Sequence, residues 1–245
     1  MLTKNEIKYL KSLHQKKERE EANCFICEGD KLVEEAVNSN FTVKEVYISH
    51  KKLTNRDKSI EIKAISEKEM EQISGFKTPP GILAVVQYPK TIDVDFKALN
   101  KEIFLILDGI NDPGNMGTIL RNADWFGIKN VICSKNSVDI FNSKVIQSSM
   151  GSIFRVNVNY CDLPDFIQDC VLNDIELYAA VMNGKSAEKH FIQNGGLILG
   201  SESHGIGEEL LRMKINKITI PKIGLAESLN VGVASGILLA LAKLD

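Results

Sequence analysis

The sequence predicts an α/β protein in two parts, a small αβ sandwich followed by a larger, mostly parallel sheet covered on both faces. Three observations lead there. Short apolar runs and amphipathic stretches alternate along the 245 residues, as strands joined by helices do. The stretch YPKTIDVDFKALNK, residues 88–101, interrupts them with a proline, charges and weak periodicity, and reads as a connector. After it, strand and helix candidates succeed one another regularly, which argues for parallel strands linked by crossover helices. The resulting division is residues 1–90, a linker at 91–101, and residues 102–245.

The first part opens on a charged, helical stretch. CFICEG, from Cys24 to Gly29, then reads as a strand and DKLVEEAVNSN as a helix capped by Asp30. VKEVYIS and IEIKAIS are the next strands. SEKEMEQISG is a short helix capped by Ser66 and closed by Gly75, with the strand GILAVVQY behind it. In the second part IFLILD, NVICS, IFRVNVNY, IELYAAVM, GLILGSE and NKITIP are the strand candidates. DPGNMGTILRNADWFG, residues 112–127, opens an amphipathic helix with Ile119, Leu120, Ala123 and Phe126 at helical spacing. A second helix begins near Gly205, and the last, from about Val231 to Leu244, is so aliphatic that it should be well buried.

Composition bounds the function. The 44% hydrophobic and 25% charged content is that of an ordinary globular protein. No apolar stretch reaches membrane-spanning length, and the first residues lack the apolar core of a signal peptide. Five cysteines without framework spacing suit a reducing cytoplasm. Cys24 and Cys27 form a CxxC, but with no second pair and inside an apolar run they read as structural rather than as a redox or zinc site. The histidines His14, His50, His190 and His204 lack ligand spacing, so no metal is expected. No nucleophile elbow, Walker sequence or three-glycine dinucleotide fingerprint occurs. The net charge of −2 gives no global sign of nucleic acid, yet two local clusters are basic. Lys4, Lys8, Lys11, Lys16, Lys17 and Arg19 form one; Lys44, Lys51, Lys52, Arg56 and Lys58 form the other. On their own they read as solvated faces.

Three polar-tipped strand ends carry the chemistry. The helix start at 112–127 holds Asn115 and Arg121, six residues apart, with Gly114 and Gly117 beside the asparagine. LILGSESHGIG ends a strand in a turn containing Glu202. IPKIGLAESLNVGVASGILLALA places Ser228 and Asn230 just before the last helix. Helix capping accounts for any one of these. It does not account for three, which an open parallel sheet would bring to one edge.

NMGTILR, LILGSESHGI and IPKIGLAESLNVGVASGIL, in this order, resemble the three motifs of the SpoU (TrmH-type) RNA 2′-O-ribose methyltransferases of the SPOUT superfamily. FICEGDKLVEEAV and TPPGILAVV resemble that family's accessory RNA-binding domain, which is similar to ribosomal protein L30e. Gly232 departs from the pattern, since many members have Ser or Ala there.

The resemblance implies an L30e-like substrate-binding domain followed by a SPOUT domain with a C-terminal trefoil knot. It implies S-adenosylmethionine as cofactor, at positions matching Leu199, Gly200, Ile220, Ser228 and Leu229. It implies catalytic roles for Arg121, Asn115, Glu202, Asn230 and Ser228, with Arg121 stabilising the developing alkoxide. Asn115 would hold Arg121 or the ribose, and Glu202 would orient the guanidinium or the loop that carries Asn115. Structured RNA becomes the expected partner, ribosomal RNA ahead of transfer RNA, with Lys16, Lys17, Arg19, Lys51 and Lys52 as contacts. A homodimer through the knot domain is implied as well. A SPOUT relative that binds RNA without catalysis is the alternative that a methyl-transfer assay decides.

Overall fold

The computed structural model describes residues 1–50, 60–90, 93–188 and 191–244. Two units emerge, Met1–Lys90 with Phe141–Phe154, and Thr91–Ile140 with Arg155–Asp245.

In the first unit, Thr3 caps helix α1 (Lys4–Ser12) through a reciprocal capping box with Glu6. Helix α2 (Lys16–Ala22) leads into strand β1 (Cys24–Glu28), every residue of which is buried. Helix α3 (Asp30–Val37) follows, capped by Gly29 rather than Asp30, which is already its first residue. Strands β2 (Val43–Ile48) and β3 (Glu61–Ala64) are parallel to each other. Ser66 caps helix α4 (Glu67–Ile73) with a second capping box to Glu69, as the sequence predicts. Strand β4 (Ile82–Gln87) completes the order β1-β4-β2-β3, antiparallel to both neighbours. Leu10, Leu13, Tyr47, Met70, Ile73 and Leu83 fill the core between this sheet and its helices.

The predicted connector contains one helical turn, α5 (Phe96–Leu99), capped by Asp95. Strand β5 (Ile103–Asp108) and helix α6 (Pro113–Trp125) form the first crossover, and strand β6 (Asn130–Ser134) the next step. Helix α7 (Ser143–Ser149) belongs to the first unit, where Phe141 stacks on Phe25 at 4.5 Å and on Tyr88 at 4.3 Å. IFRVNVNY is not one strand. Left-handed Met150 and Gly151 turn the chain into a 3-10 turn at Ser152–Phe154, and strand β7 (Asn157–Cys161) begins only after it. Helix α8 (Leu163–Leu172), strands β8 (Leu177–Ser186) and β9 (Gly195–Gly200), helix α9 (Glu208–Leu211), strand β10 (Asn216–Thr219) and helix α10 (Val231–Lys243) complete the unit. Helix α9 starts later than Gly205 because residues 201–205 first close a tight turn.

The six strands run in the order β10-β8-β9-β5-β6-β7, and every pairing is parallel, in line with the predicted mostly parallel sheet. Phe104, Ile106, Ile132, Phe166, Ile167 and Ile198 form the core on one face. Helix α10 is less buried than its composition suggests: Leu238, Leu239 and Ala242 face inward, while Val233 is 52% exposed.

Candidate active site at the carboxyl edge of the parallel sheet

Strand order reverses direction at β5. From there the chain continues outward through β6 and β7, whereas β9 and β8 lie on its other side. The carboxyl ends of β5 and β9 therefore flank a topological switch point, where open parallel sheets place ligands. Asp108, at the end of β5, pairs in register with Gly200 and accepts the Gly207 amide at 2.8 Å. That bond ties the loop after β9 to the strand beside it. The loop closes by reciprocal backbone bonds between Ser201 and Gly205, 3.1 and 2.8 Å long.

Two helix starts meet at this edge. Asp112 caps α6 by accepting the Asn115 amide at 2.8 Å, with Pro113 in the first turn. Asn230 caps α10, its Oδ1 accepting the Val233 amide at 3.2 Å. Its Nδ2 then donates both to Asn115 Oδ1 at 2.8 Å and to Glu202 Oε1 at 2.5 Å. Asn115, Glu202 and Asn230, from three distant stretches, are thus joined through one amide. The acceptor role of Asn115 Oδ1 leaves its Nδ2 free to donate elsewhere, and Glu202 keeps a second carboxylate oxygen.

Arg121 does not join them. It lies on the exposed surface of α6 and, among the described residues, makes no hydrogen bond or ion pair. Six residues on a helix amount to about 9 Å along the axis and about 120° around it from Asn115. The partner of both Asn115 and Glu202 is Asn230, so neither orients the guanidinium within this chain.

The positions matched to cofactor contacts lie on nearby segments. Leu199 is buried at the end of β9, Ile220 follows β10 half-buried, and Ser228 and Leu229 are exposed before α10. Residues 221–229 are all exposed, with Ile223 and Leu225 almost fully so. Their main-chain groups bond to no other described residue. Gly200 has a reason of its own: a Cβ there would lie 2.1 Å from the Gly205 carbonyl carbon and 2.3 Å from the Ile206 nitrogen. The glycine admits the chain's own returning backbone.

The basic residues separate. Lys16 and Lys17 are exposed and each faces a glutamate four residues on, Glu20 and Glu21, at 3.7 Å. Arg19 is a correction to the sequence reading. It is only 3% exposed, and its guanidinium donates to the carbonyls of Leu13 and His14, closing the turn between α1 and α2. A side chain so used is not an RNA contact. Lys51 and Lys52 lie outside the described residues, as does His190.

Cys24 and Cys27 are both buried on β1, and burial pushes the Cys27 thiol up to about 12. Among the described residues no cluster of His, Cys, Asp and Glu could hold a metal, and no helix is long and apolar enough to cross a membrane. Two residues escaped the sequence reading. Asp108 reads there only as the polar end of a strand, and Asn122 as one more polar residue of α6. Asn122 in fact donates to Gly232 O and Ser235 Oγ, both at 2.8 Å, across more than a hundred residues of chain.

Residues 102–240 match the SpoU rRNA methylase family, and residues 4–84 match the MRM3-like substrate binding domain. The chain is 33% identical, over 95% of its length and 93% of the relative's, to a 23S rRNA (guanosine(2553)-2′-O)-methyltransferase of Bacillus subtilis. It superposes on a TrmH-family protein from Porphyromonas gingivalis with a TM-score of 0.89 at 33% identity, covering 99% of this chain and 98% of the other. An AdoMet-bound rRNA methyltransferase from Sinorhizobium meliloti superposes with a TM-score of 0.85 at 27% identity, over 99% and 95% of the two chains.

Proposed function

This chain belongs to the SpoU rRNA methylase family, and from that premise we propose that it transfers a methyl group from S-adenosylmethionine to a ribose 2′-OH in structured RNA, ribosomal RNA before transfer RNA. The observation that carries the proposal is the junction of Asn115, Glu202 and Asn230 at the switch point of the parallel sheet. Relatives matched over nearly the whole chain include a ribosomal RNA 2′-O-methyltransferase and an AdoMet-bound rRNA methyltransferase.

The residues present suit the cofactor. An adenosyl group needs apolar surface beside free main-chain donors and acceptors. Residues 221–229 offer such main-chain groups next to Leu225 and Leu229, with Leu199, Gly200, Ile220 and Ser228 on the adjoining segments. S-adenosylmethionine, when bound, supplies an electrophilic methyl group on a sulfonium.

The chain's own residues then govern the nucleophile. A 2′-OH attacks only as its proton leaves, so negative charge grows on its oxygen. The Arg121 guanidinium lowers the cost of that charge and grips the adjacent phosphate, with the proton passing to phosphate or water. The free Asn115 amide nitrogen donates to the ribose, held in place by Asn230. Glu202 fixes the Asn230 amide from the other side, and Ser228 adds a hydroxyl at the rim.

In this reading residues 1–90 select the RNA, with Lys16, Lys17, Lys51 and Lys52 supplying charge, residues 91–101 link the two parts, and residues 102–245 carry the knot. The protein works in the cytoplasm as a homodimer through the knot domain. Two features support the dimer: Arg121 stands exposed and apart from the other catalytic positions, and apolar Leu229, Val233 and Trp125 are exposed on neighbouring elements, the tryptophan by 83%. A second copy would cover such surface and complete the site. The test is incubation of the full-length protein with methyl-labelled S-adenosylmethionine and unmodified ribosomal or transfer RNA, followed by nucleoside analysis. Label in a 2′-O-methylated nucleoside supports the proposal; label in a base, or RNA binding without transfer, overturns it.

A further inference from the structure

Helices α6 and α10 cross at a seam of small residues. Gly232 and Gly236 stand one turn apart on α10, and Thr118 and Asn122 stand one turn apart on α6. A Cβ on Gly232 would meet the Thr118 methyl at 2.9 Å, Thr118 Cβ at 3.2 Å and Asn230 Oδ1 at 3.1 Å. A Cβ on Gly236 would meet Asn122 Nδ2 at 3.2 Å. The Thr118 hydroxyl donates to the Gly114 carbonyl at 2.8 Å, which sets its rotamer and aims its methyl across the seam. Beside it, the Asn122 amide donates to Gly232 O and Ser235 Oγ, and Ser235 Oγ donates back to Gly232 O at 2.7 Å.

This seam lies directly behind the catalytic junction. Asn115 is one turn before Thr118 on the same helix, and Asn230 is the residue that caps α10 two positions before Gly232. We propose that Thr118 and Asn122 are positioning residues, and that the Thr118–Gly232 contact sets where Asn230 stands relative to Asn115 and Glu202. The methyl of Thr118 fills the space that a side chain at position 232 would occupy. An added methyl there has two ways out, and one of them displaces the Asn230 side chain. The inference rests on the proposed function only for its rate prediction; the geometry it invokes stands independently.

The test is a paired substitution in the full-length protein. Gly232→Ala should slow single-turnover methyl transfer at saturating RNA and cofactor about tenfold or more, as small displacements of positioned groups do. RNA and cofactor affinities should stay near wild type, because no residue of the seam is among those proposed to bind either. Thr118→Ser, which removes the opposing methyl and keeps the hydroxyl bond, should alone slow transfer less than Gly232→Ala does, because it loosens the contact without pushing the Asn230 side chain. Combined with Gly232→Ala it should return the rate to within about threefold of wild type. A second measurement needs no activity: the side-chain amide resonance of Asn230 should move in Gly232→Ala and return in the double variant. Asn122→Asp, isosteric but without the two donated bonds, should move the same resonance. The proposal is overturned if Gly232→Ala keeps the wild-type rate and resonance, or if the double variant recovers neither. Recovery of the resonance in a chain whose wild type transfers no methyl would uphold the seam and reject the enzyme reading.

Discussion

In the proposed mechanism Arg121 is the residue on which the chemistry turns. On an exposed helix face, Arg121→Ala should cost a few tenths of a kcal/mol of stability at most. As an alkoxide-stabilising group it should carry roughly 10²-fold or more of the rate. Lysine should rescue poorly, since a point charge cannot hold phosphate and oxyanion in one planar fork. Single-turnover kinetics with cofactor affinity measured in parallel decides; a wild-type rate in Arg121→Ala would make it a surface residue. Gly200→Ala should instead be a folding variant, because the new Cβ would sit 2.1 Å from Gly205 backbone. It should lose about 1–3 kcal/mol by overpacking, read as a lower denaturant midpoint, and an unchanged midpoint would contradict that. Asn115, Glu202 and Asn230 could be singled out in the sequence as a group, because helix capping accounts for one polar strand end but not for three that an open parallel sheet brings to one edge. Arg19 was not. Its burial depends on carbonyls freed where α1 ends, a detail of the turn that residue type does not encode.

Helices announce themselves by their caps, and α4 shows what a cap does to pH dependence. Glu69 accepts bonds from the backbone and hydroxyl of Ser66 and from the Leu2 amide, which hold its carboxyl down at about 2 against an ordinary 4.5. A depressed carboxyl stabilises the fold above its unfolded pKa and loses that contribution as pH falls through the folded one. The first unit should therefore lose stability from about pH 4.5 down to about 2. Urea titrations of Glu69→Gln and wild type should differ at neutral pH and converge at the acid end; a constant difference would contradict the cap's role. Lys16 and Lys17 make a second prediction at this scale. Their glutamate partners are exposed, and such pairs are worth little, so both lysines remain available to phosphate. Replacing both by glutamine should flatten the salt dependence of RNA affinity by about 0.7–0.9 in log–log slope for each phosphate no longer neutralised. An unchanged slope would mean that they only solvate α2. The strand IFRVNVNY misled because its apolar residues serve two structures. Ile153 and Phe154 pack in a turn, and pairing in the sheet begins at Asn157.

Across the whole molecule, local signals convey the alternation of strands and helices but not the strand order. The order β10-β8-β9-β5-β6-β7 places the last strands beside the first, and this brings residues 115, 202 and 230 together. The Asn122 clamp and the Thr118–Gly232 contact were illegible for the same reason, since both join helices far apart in sequence. Calorimetry should find S-adenosylmethionine or its demethylated product binding without added metal, in keeping with a donor set of backbone and apolar groups. A requirement for a divalent ion would contradict that set. The most direct test of the central claim is ribose-methylation mapping by mass spectrometry of RNA from a strain lacking this protein. One 2′-O-methylated nucleotide should be missing, restored by the wild-type chain and not by Arg121→Ala. A complete set of ribose methylations in the deletion strain, or restoration by the Arg121→Ala chain, would contradict the account.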